Sequence, residues 1–205
     1  MKKVLVVKAH PENSESRTLK VLNQFLKDYE DKNPEDVIQI DDLYDEDFPE
    51  LGPDQFEAWS LMRNNDSLQK LSKDAKSKID LYNQAIDQYI DADKIVIANP
   101  MWNMMVPTKL KSWIDAINIA GKTFKYTADG AEPLAPGKKV IHIQSAGGFY
   151  EGKDFGSQYI KGMMEFLGSQ PVQKISVEGM DHFPEKAEGL MQESLSEASK
   201  LATTF

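Results

Sequence analysis

The chain has 205 residues, 40% of them hydrophobic, and 24 basic against 33 acidic side chains give a formal charge of −9. That length and apolar content suit one ordinary α/β domain over residues 1–205 with a sizeable core, and argue against disorder. The acidic balance argues against a nucleic-acid binder, which needs a basic face, and against an anionic membrane surface as partner; the lack of cysteine excludes thiol nucleophiles, disulfides and zinc–thiolate sites.

Met1-Lys2-Lys3 leads into too short an apolar run for a signal peptide, and no run approaches transmembrane length, so a soluble cytoplasmic protein is expected. Lys3–Lys8 contains Val4-Leu5-Val6-Val7, the continuous run of a strand buried on both faces of a parallel sheet. A polar loop, His10–Glu15, follows. Ser16-Arg17-Thr18 then opens a helix with apolar residues at Leu19, Leu22, Phe25, Leu26 and Tyr29, a helical spacing. Val37–Asp41 is a second strand, and Asp41 to Asp47 is an acid-rich run that reads as solvated surface. Pro49, Gly52 and Pro53 break the next segment, with a short helix at Gln55–Arg63. Ser72–Ile90 reads as a longer helix carrying Ile79, Tyr82, Ile86 and Tyr89 on one side. Asp93–Asn99 is the third strand and Thr108–Ile119 a helix. Lys122–Tyr126 belongs to a hairpin or excursion ending at the turn dipeptide Asp129-Gly130. Lys139–Gln144 is the fourth main strand, Asp154–Leu167 a helix stopped by Gly168, Pro171–Val177 the fifth strand, and Phe183–Ala202 the last helix.

Strands that alternate with helices define an α/β class with a parallel sheet. Five strands suggest the flavodoxin-like three-layer sandwich in the order 2-1-3-4-5, with a ligand crevice where the loops after strands one and three meet. The loop after strand three is the most unusual stretch of the chain. Met101, Trp102, Met104 and Met105 surround the single amide of Asn103, between Pro100 and Pro107. Two prolines hold this segment out of regular structure while it stays apolar, which suits a flat, mostly apolar ring with polar edges such as a flavin. The alternative is a crossover loop that fills the core.

The loop after strand one offers a helix N-terminus, with its free N–H groups and positive dipole end, together with the hydroxyls of Ser16 and Thr18, the charge of Arg17, and His10 nearby. Such a cradle suits a phosphate, although an ordinary serine cap reads the same way in isolation. Neither a dinucleotide fingerprint nor a P-loop is present. Ser145-Ala146-Gly147-Gly148 ends strand four, and its two glycines let backbone N–H groups approach a ligand, or else simply make a tight turn. Donors aimed at the pyrimidine edge of a flavin stabilise the charge that builds there on reduction. The three histidines, His10, His142 and His182, have no metal-ligand spacing, so no metal is expected.

Taken together these motifs resemble the FMN-dependent NADH azoreductase and quinone reductase family. Met101-Trp102-Asn103-Met104 is similar to the family's Met-Tyr-Asn-Phe box, and Ser145-Ala146-Gly147-Gly148 to its Ser-Arg-Gly-Gly turn. His10 and Ser16-Arg17-Thr18 stand where the family places its phosphate contacts, and Thr123-Phe124-Lys125-Tyr126-Thr127 resembles its Thr-Phe-x-Tyr-Thr segment. The departures are Trp102 for tyrosine, Met104 for phenylalanine, Ala146 for arginine and a histidine at residue 10; they bear on substrate range more than on flavin binding. The resemblance implies FMN as cofactor, NADH as donor, a quinone or azo compound as acceptor, and a homodimer. It requires no catalytic side chain, since the flavin carries the chemistry. Tyr126, Phe149 and Tyr150 are then expected as walls for a stacked aromatic acceptor. Two rivals are a flavodoxin-like electron carrier with no nicotinamide site and a flavin-free protein that has kept the fold.

Overall fold

The structure, a computed structural model, describes residues 1–12, 16–45 and 48–205. Asn13, Ser14 and Glu15 of the polar first loop, and Glu46 and Asp47 of the acid-rich run, lie outside the described residues.

The elements follow in chain order: β1 (Lys3–Lys8), α1 (Arg17–Lys32), β2 (Val37–Asp42), α2 (Pro53–Arg63), α3 (Lys73–Asp91), β3 (Lys94–Pro100), α4 (Thr108–Ile117), β4 (Phe124–Thr127), β5 (Gly130–Pro133), β6 (Lys139–Ala146), α5 (Phe155–Phe166), β7 (Val172–Glu178) and α6 (Ala187–Ala202). Five of the strands form one parallel sheet in the order β2-β1-β3-β6-β7. The expected numbering 2-1-3-4-5 is therefore corrected to 2-1-3-6-7. The excursion after α4 is an antiparallel hairpin in which β4 and β5 pair with each other, outside the main sheet, so the strands expected as fourth and fifth are β6 and β7.

Alternation along the strands builds two cores. Leu5, Val7, Ile95, Ile97 and Val140 face Tyr82, Tyr89, Leu110, Trp113, Ile117 and Ile160 of α3, α4 and α5. Val4, Val6, Val96, Ala98, Ile141 and Ile143 face Leu22, Phe25 and Tyr29 of α1 and Ala198 and Ala202 of α6. All seven residues of β3 are buried, as the centre of a doubly covered sheet requires. Each large side chain that is fully buried, Trp113 and Phe25 among them, contributes about 1.5–3 kcal/mol. A satellite cluster of Ala58, Leu71, Ala75 and Ile79 docks α2 on α3.

The element ends follow local chemistry. Helix α2 starts at Pro53, two residues before the expected Gln55, because proline suits the first helical position. Helix α4 stops at Ile117 rather than Ile119; the Asn118 side chain donates to Ile114 O at 2.7 Å and ends it. Helix α6 begins at Ala187, after a 3-10 turn at Pro184–Lys186, rather than at Phe183. No helix among the described residues is long and apolar enough to cross a membrane.

Candidate active site

The loops after β1, β3 and β6 share one end of the sheet, because parallel strands put all their carboxyl ends together. Register joins two of them directly. Pro100 pairs with Ser145, and Met101 N–H donates to Ser145 O at 2.8 Å.

The apolar loop forms a tight two-residue turn. Trp102 N–H donates to Met105 O at 2.9 Å and Met105 N–H to Trp102 O at 3.0 Å. Both central residues are left-handed, with φ of 50° at Asn103 and 66° at Met104. Two consecutive positive φ values define a type I′ turn, which usually takes Gly, Asn or Asp. A methionine there is strained, and such strain concentrates at functional sites. Trp102 is 43% exposed, Asn103 is exposed, and Met101 and Met104 are half-buried. The turn thus stands at the surface rather than filling the core. The Asn103 amide has no hydrogen-bond partner among the described residues.

The glycine loop lies beside it, and its carbonyls and amides are treated differently. Gly179 N–H donates to Ala146 O and Gly148 O at 3.2 Å each, and Asp181 and His182 N–H groups donate to Gly147 O at 3.2 and 3.1 Å. No described group accepts the Gly147 or Gly148 N–H. The side chain of Ala146 is buried, while the Tyr150 ring lies over Gly148, where an added Cβ would meet its Cε2 at 3.4 Å. The result is a rigid strip with two unused donors, a natural cradle for an electron-rich ligand edge.

At the start of α1, Ser16 caps the helix by accepting from Leu19 N–H at 3.4 Å. The first N–H groups of the helix have no intrahelical acceptor and point toward the crevice end. Thr18 is fully buried and turned inward, donating to Ser145 Oγ at 2.7 Å. Its hydroxyl ties the first loop to the third, which leaves the backbone of Thr18, not its side chain, for a phosphate. The Arg17 guanidinium donates to Asp181 Oδ1 at 2.7 Å, with both side chains well exposed. His10 Nδ1 accepts from Glu12 N–H at 3.1 Å, and burial holds its pKa below the usual histidine value.

Behind the loops runs a buried polar chain that the sequence reading missed. Asn99, at the end of β3, donates to Pro100 O at 2.9 Å and to Gln144 Oε1 at 3.3 Å, and accepts from His142 Nε2 at 2.8 Å. Gln144 donates to Asp154 Oδ1 and Ser157 Oγ at 3.0 Å each. Burial, reinforced by the nearby Lys174, lowers the His142 pKa to about 3, so the imidazole is neutral. Burial works against ionised Asp154, yet hydrogen bonds from Ser157 and Gln144, with Lys174 nearby, outweigh it and bring its pKa to about 2.

The aromatic residues separate. Phe149 packs on the other flank of the glycine loop, over Gly179 and beside Phe183 at a ring distance of 5.8 Å. Tyr126 is on β4, where it lines a cavity of about 660 Å³ together with Trp59, Met62, Tyr82 and Ile86, and no residue of the three loops lines that cavity. The loop after β7, Gly179 to His182, is a fourth part of the site and was not singled out in the sequence. A glycine immediately after a strand, as at Gly147, was the available signal.

A parallel sheet with an apolar turn, free amides and a helix N-terminus at the carboxyl ends of its strands defines a protein of the flavodoxin-like class. The chain belongs to the flavodoxin-like fold family, whose model matches residues 2–202. It is 39% identical over its whole length to an FMN-dependent NADH:quinone oxidoreductase of Staphylococcus haemolyticus and 36% identical to one of Streptococcus suis, in each case covering all of the relative. Among solved structures, an azoreductase from Bacillus anthracis superposes with a TM-score of 0.91 at 32% identity over 100% of both chains. A second, an FMN-dependent NADH-azoreductase of Bacillus anthracis in complex with FMN, gives 0.87 at 29% identity, covering 98% of this chain and 100% of the other.

Proposed function

We infer that this protein is an FMN-dependent oxidoreductase that uses NADH to reduce quinones and aromatic azo compounds. The observation that carries the reading is the meeting, across one β3–β6 register pair, of a surface-held apolar turn with the unused N–H groups of Gly147 and Gly148. FMN held there would supply the redox chemistry, a two-electron ping-pong transfer from NADH to the acceptor.

The chain's own residues bind and orient. Met101, Trp102 and Met104 supply apolar surface for the ring, and Asn103 supplies an amide for its polar edge. Ser145, Ala146, Gly147 and Gly148 form the strip whose amides meet developing negative charge. The α1 N-terminus, with Ser16, Arg17, the Thr18 backbone and His10, holds the phosphate end, where the helix dipole favours an anion. Tyr150 and Phe149 flank the strip as walls for a stacked acceptor. Tyr126 lies away from the loops of its own chain, so its part in acceptor binding requires the homodimer that belongs to this reading. The protein acts as a single domain over residues 1–205 in the cytoplasm, with no nucleic-acid or membrane partner.

The test is a visible absorbance spectrum of the FMN-loaded protein, before and after NADH is added without oxygen. Flavin bands that bleach with NADH agree with the reading. Bands that persist favour an electron carrier without a nicotinamide site, and failure to take up FMN at all refutes the reading.

A further inference from the structure

Three ionised side chains lie together behind the candidate site, on the α5 and β7 side of the sheet. Lys174 Nζ donates to Glu178 Oε1 at 2.9 Å and stands 3.5 Å from Asp154 Oδ2. Asp154 and Glu178 are almost wholly buried, and the Lys174 side chain is 18% exposed. Each carboxylate holds a different loop. Asp154 caps α5, accepting from Ser157 N–H at 2.8 Å and Ser157 Oγ at 2.6 Å. The first turn of α5 in turn fixes the apolar turn: Gly156 N–H donates to Met104 O at 3.1 Å, and a Cβ at Gly156 would stand 3.2 Å from both the Met105 carbonyl carbon and the Val106 nitrogen. Glu178 Oε2 accepts from the N–H groups of Tyr150 and Glu151 at 2.7 and 2.9 Å, which closes the far end of the glycine loop.

Like-charged carboxylates buried this close repel unless a cation lies between them, and burial without a partner costs each of them heavily. Neither carboxylate belongs to the ring- or phosphate-contacting set. A surface-type ion pair would have left both loops to their own turn chemistry; this one is buried and is hydrogen-bonded at every end.

We propose that Lys174, through Asp154 and Glu178, is the positioning residue that sets the apolar turn and the glycine strip at one fixed separation, and so tunes both flavin affinity and flavin potential. The inference rests on the flavin reading above. With Lys174 in place the two loops are one rigid unit, and the donors of the strip meet the ring without reorganisation. Without it, Glu178 loses its counter-ion and its hold on the Tyr150 and Glu151 amides loosens, while the Asp154 cap persists through Ser157 and Gln144. The separation of the loops then relaxes.

The experiment compares wild type with Lys174→Met and Glu178→Gln, each as apo-protein titrated with FMN by flavin fluorescence, with the two-electron midpoint potential then measured on the loaded protein. Lys174→Met is expected to weaken FMN about tenfold. It is also expected to weaken the reduced flavin about a further tenfold, which lowers the midpoint by about 30 mV. Glu178→Gln, which keeps an acceptor oxygen for the two amides, is expected to move both quantities in the same direction by less. A purely structural role lowers the melting temperature and leaves affinity and potential at wild-type values in the folded variants, and that result overturns the proposal. If Lys174→Met does not fold, the same two readouts on Glu178→Gln decide. Wild type that takes up no FMN refutes the flavin reading itself, whereas wild type that binds FMN beside variants that match it refutes only this role of Lys174.

Discussion

Asn103 does two separable things, and two substitutions divide them. Its backbone sits at φ 50° as the first central residue of the Trp102–Met105 turn, and its exposed amide has no described partner. Replacement by glycine keeps the backbone conformation, which glycine adopts freely, and deletes only the amide. Replacement by valine deletes the amide and places a β-branched side chain in the left-handed region, which costs about 1–2 kcal/mol. For a chain of this size about 1 kcal/mol moves the melting temperature by about 2–4 °C, so Asn103→Val is expected to melt about 2–8 °C below wild type. Asn103→Gly is expected to stay within about 2 °C, since its cost is only the extra backbone entropy of the unfolded chain. FMN affinity separates differently. Both variants lose one ligand hydrogen bond, about 0.5–1.5 kcal/mol or roughly two- to twelvefold in dissociation constant, and Asn103→Val loses more because the turn itself is displaced. Scanning fluorimetry of the apo-protein and fluorescence titration with FMN read the two effects. An Asn103→Gly protein that binds FMN like wild type would refute the amide's role, and an Asn103→Val protein that melts like wild type would show that the turn does not depend on its left-handed backbone.

Three further outcomes follow from the same geometry. His142 is held neutral by burial, with a folded-state pKa of about 3 against an ordinary value of 6.5, so below about pH 6.5 the unfolded chain takes up a proton that the folded chain refuses; stability is expected to fall by about 1.4 kcal/mol per pH unit from roughly pH 6 toward pH 4, with a smaller part from His10. Urea melts at pH 7 and pH 5 on wild type and His142→Gln check this, and an equal loss in the variant would assign the slope elsewhere. Thr18→Val preserves shape but removes the donor to Ser145 Oγ, and should cost about 1 kcal/mol in a denaturant melt; no change would mean that this bond does not tie the two loops. Gly179→Ala should be the most damaging single methyl in the site region, since φ is 85° there and the new Cβ would fall 2.1 Å from the Phe149 ring; a loss of about 2 kcal/mol or more is expected, and a wild-type melting temperature would show that the ring moves aside freely.

The strands and helices were readable because their signals are local. Val4–Val7 and Ile95–Ala98 are unbroken apolar runs, and only a strand covered on both faces buries all of such a run. The apolar turn was readable for the opposite reason: Met101 to Met105 break the expectation that a loop is polar, and the fold leaves that inconsistency standing at the surface. What local pattern could not supply was the direction of a side chain after folding. Ser16-Arg17-Thr18 read as three phosphate contacts, yet a helix turns by about 100° per residue, so the three side chains diverge. Ser16 caps, Arg17 reaches outward to Asp181, and Thr18 points into the sheet toward Ser145.

Several residues that the sequence does not single out, Asp181 and Asn99 among them, have partners far away along the chain. Arg17 and Asp181 are separated by 164 positions, and His142 and Asn99 by 43. Lys174, Gln144 and Asp154 look like ordinary polar residues of a strand or a helix start, and only the β6–β7 register, with His142 beside Lys174 and Ala146 beside Glu178, lines them up under α5. The physical consequence is a division of labour within one sheet. The apolar faces set which strands are neighbours, and so bring the loops to the same end. The buried polar chain from Asn99 to Glu178 then fixes how far apart those loops stand. Hydrophobic burial is indifferent to small displacements, whereas a hydrogen bond is lost over less than an ångström. A site that must present two amides to one ring edge therefore needs the second kind of force close behind it, and the chain provides that force where β6, β7 and α5 meet.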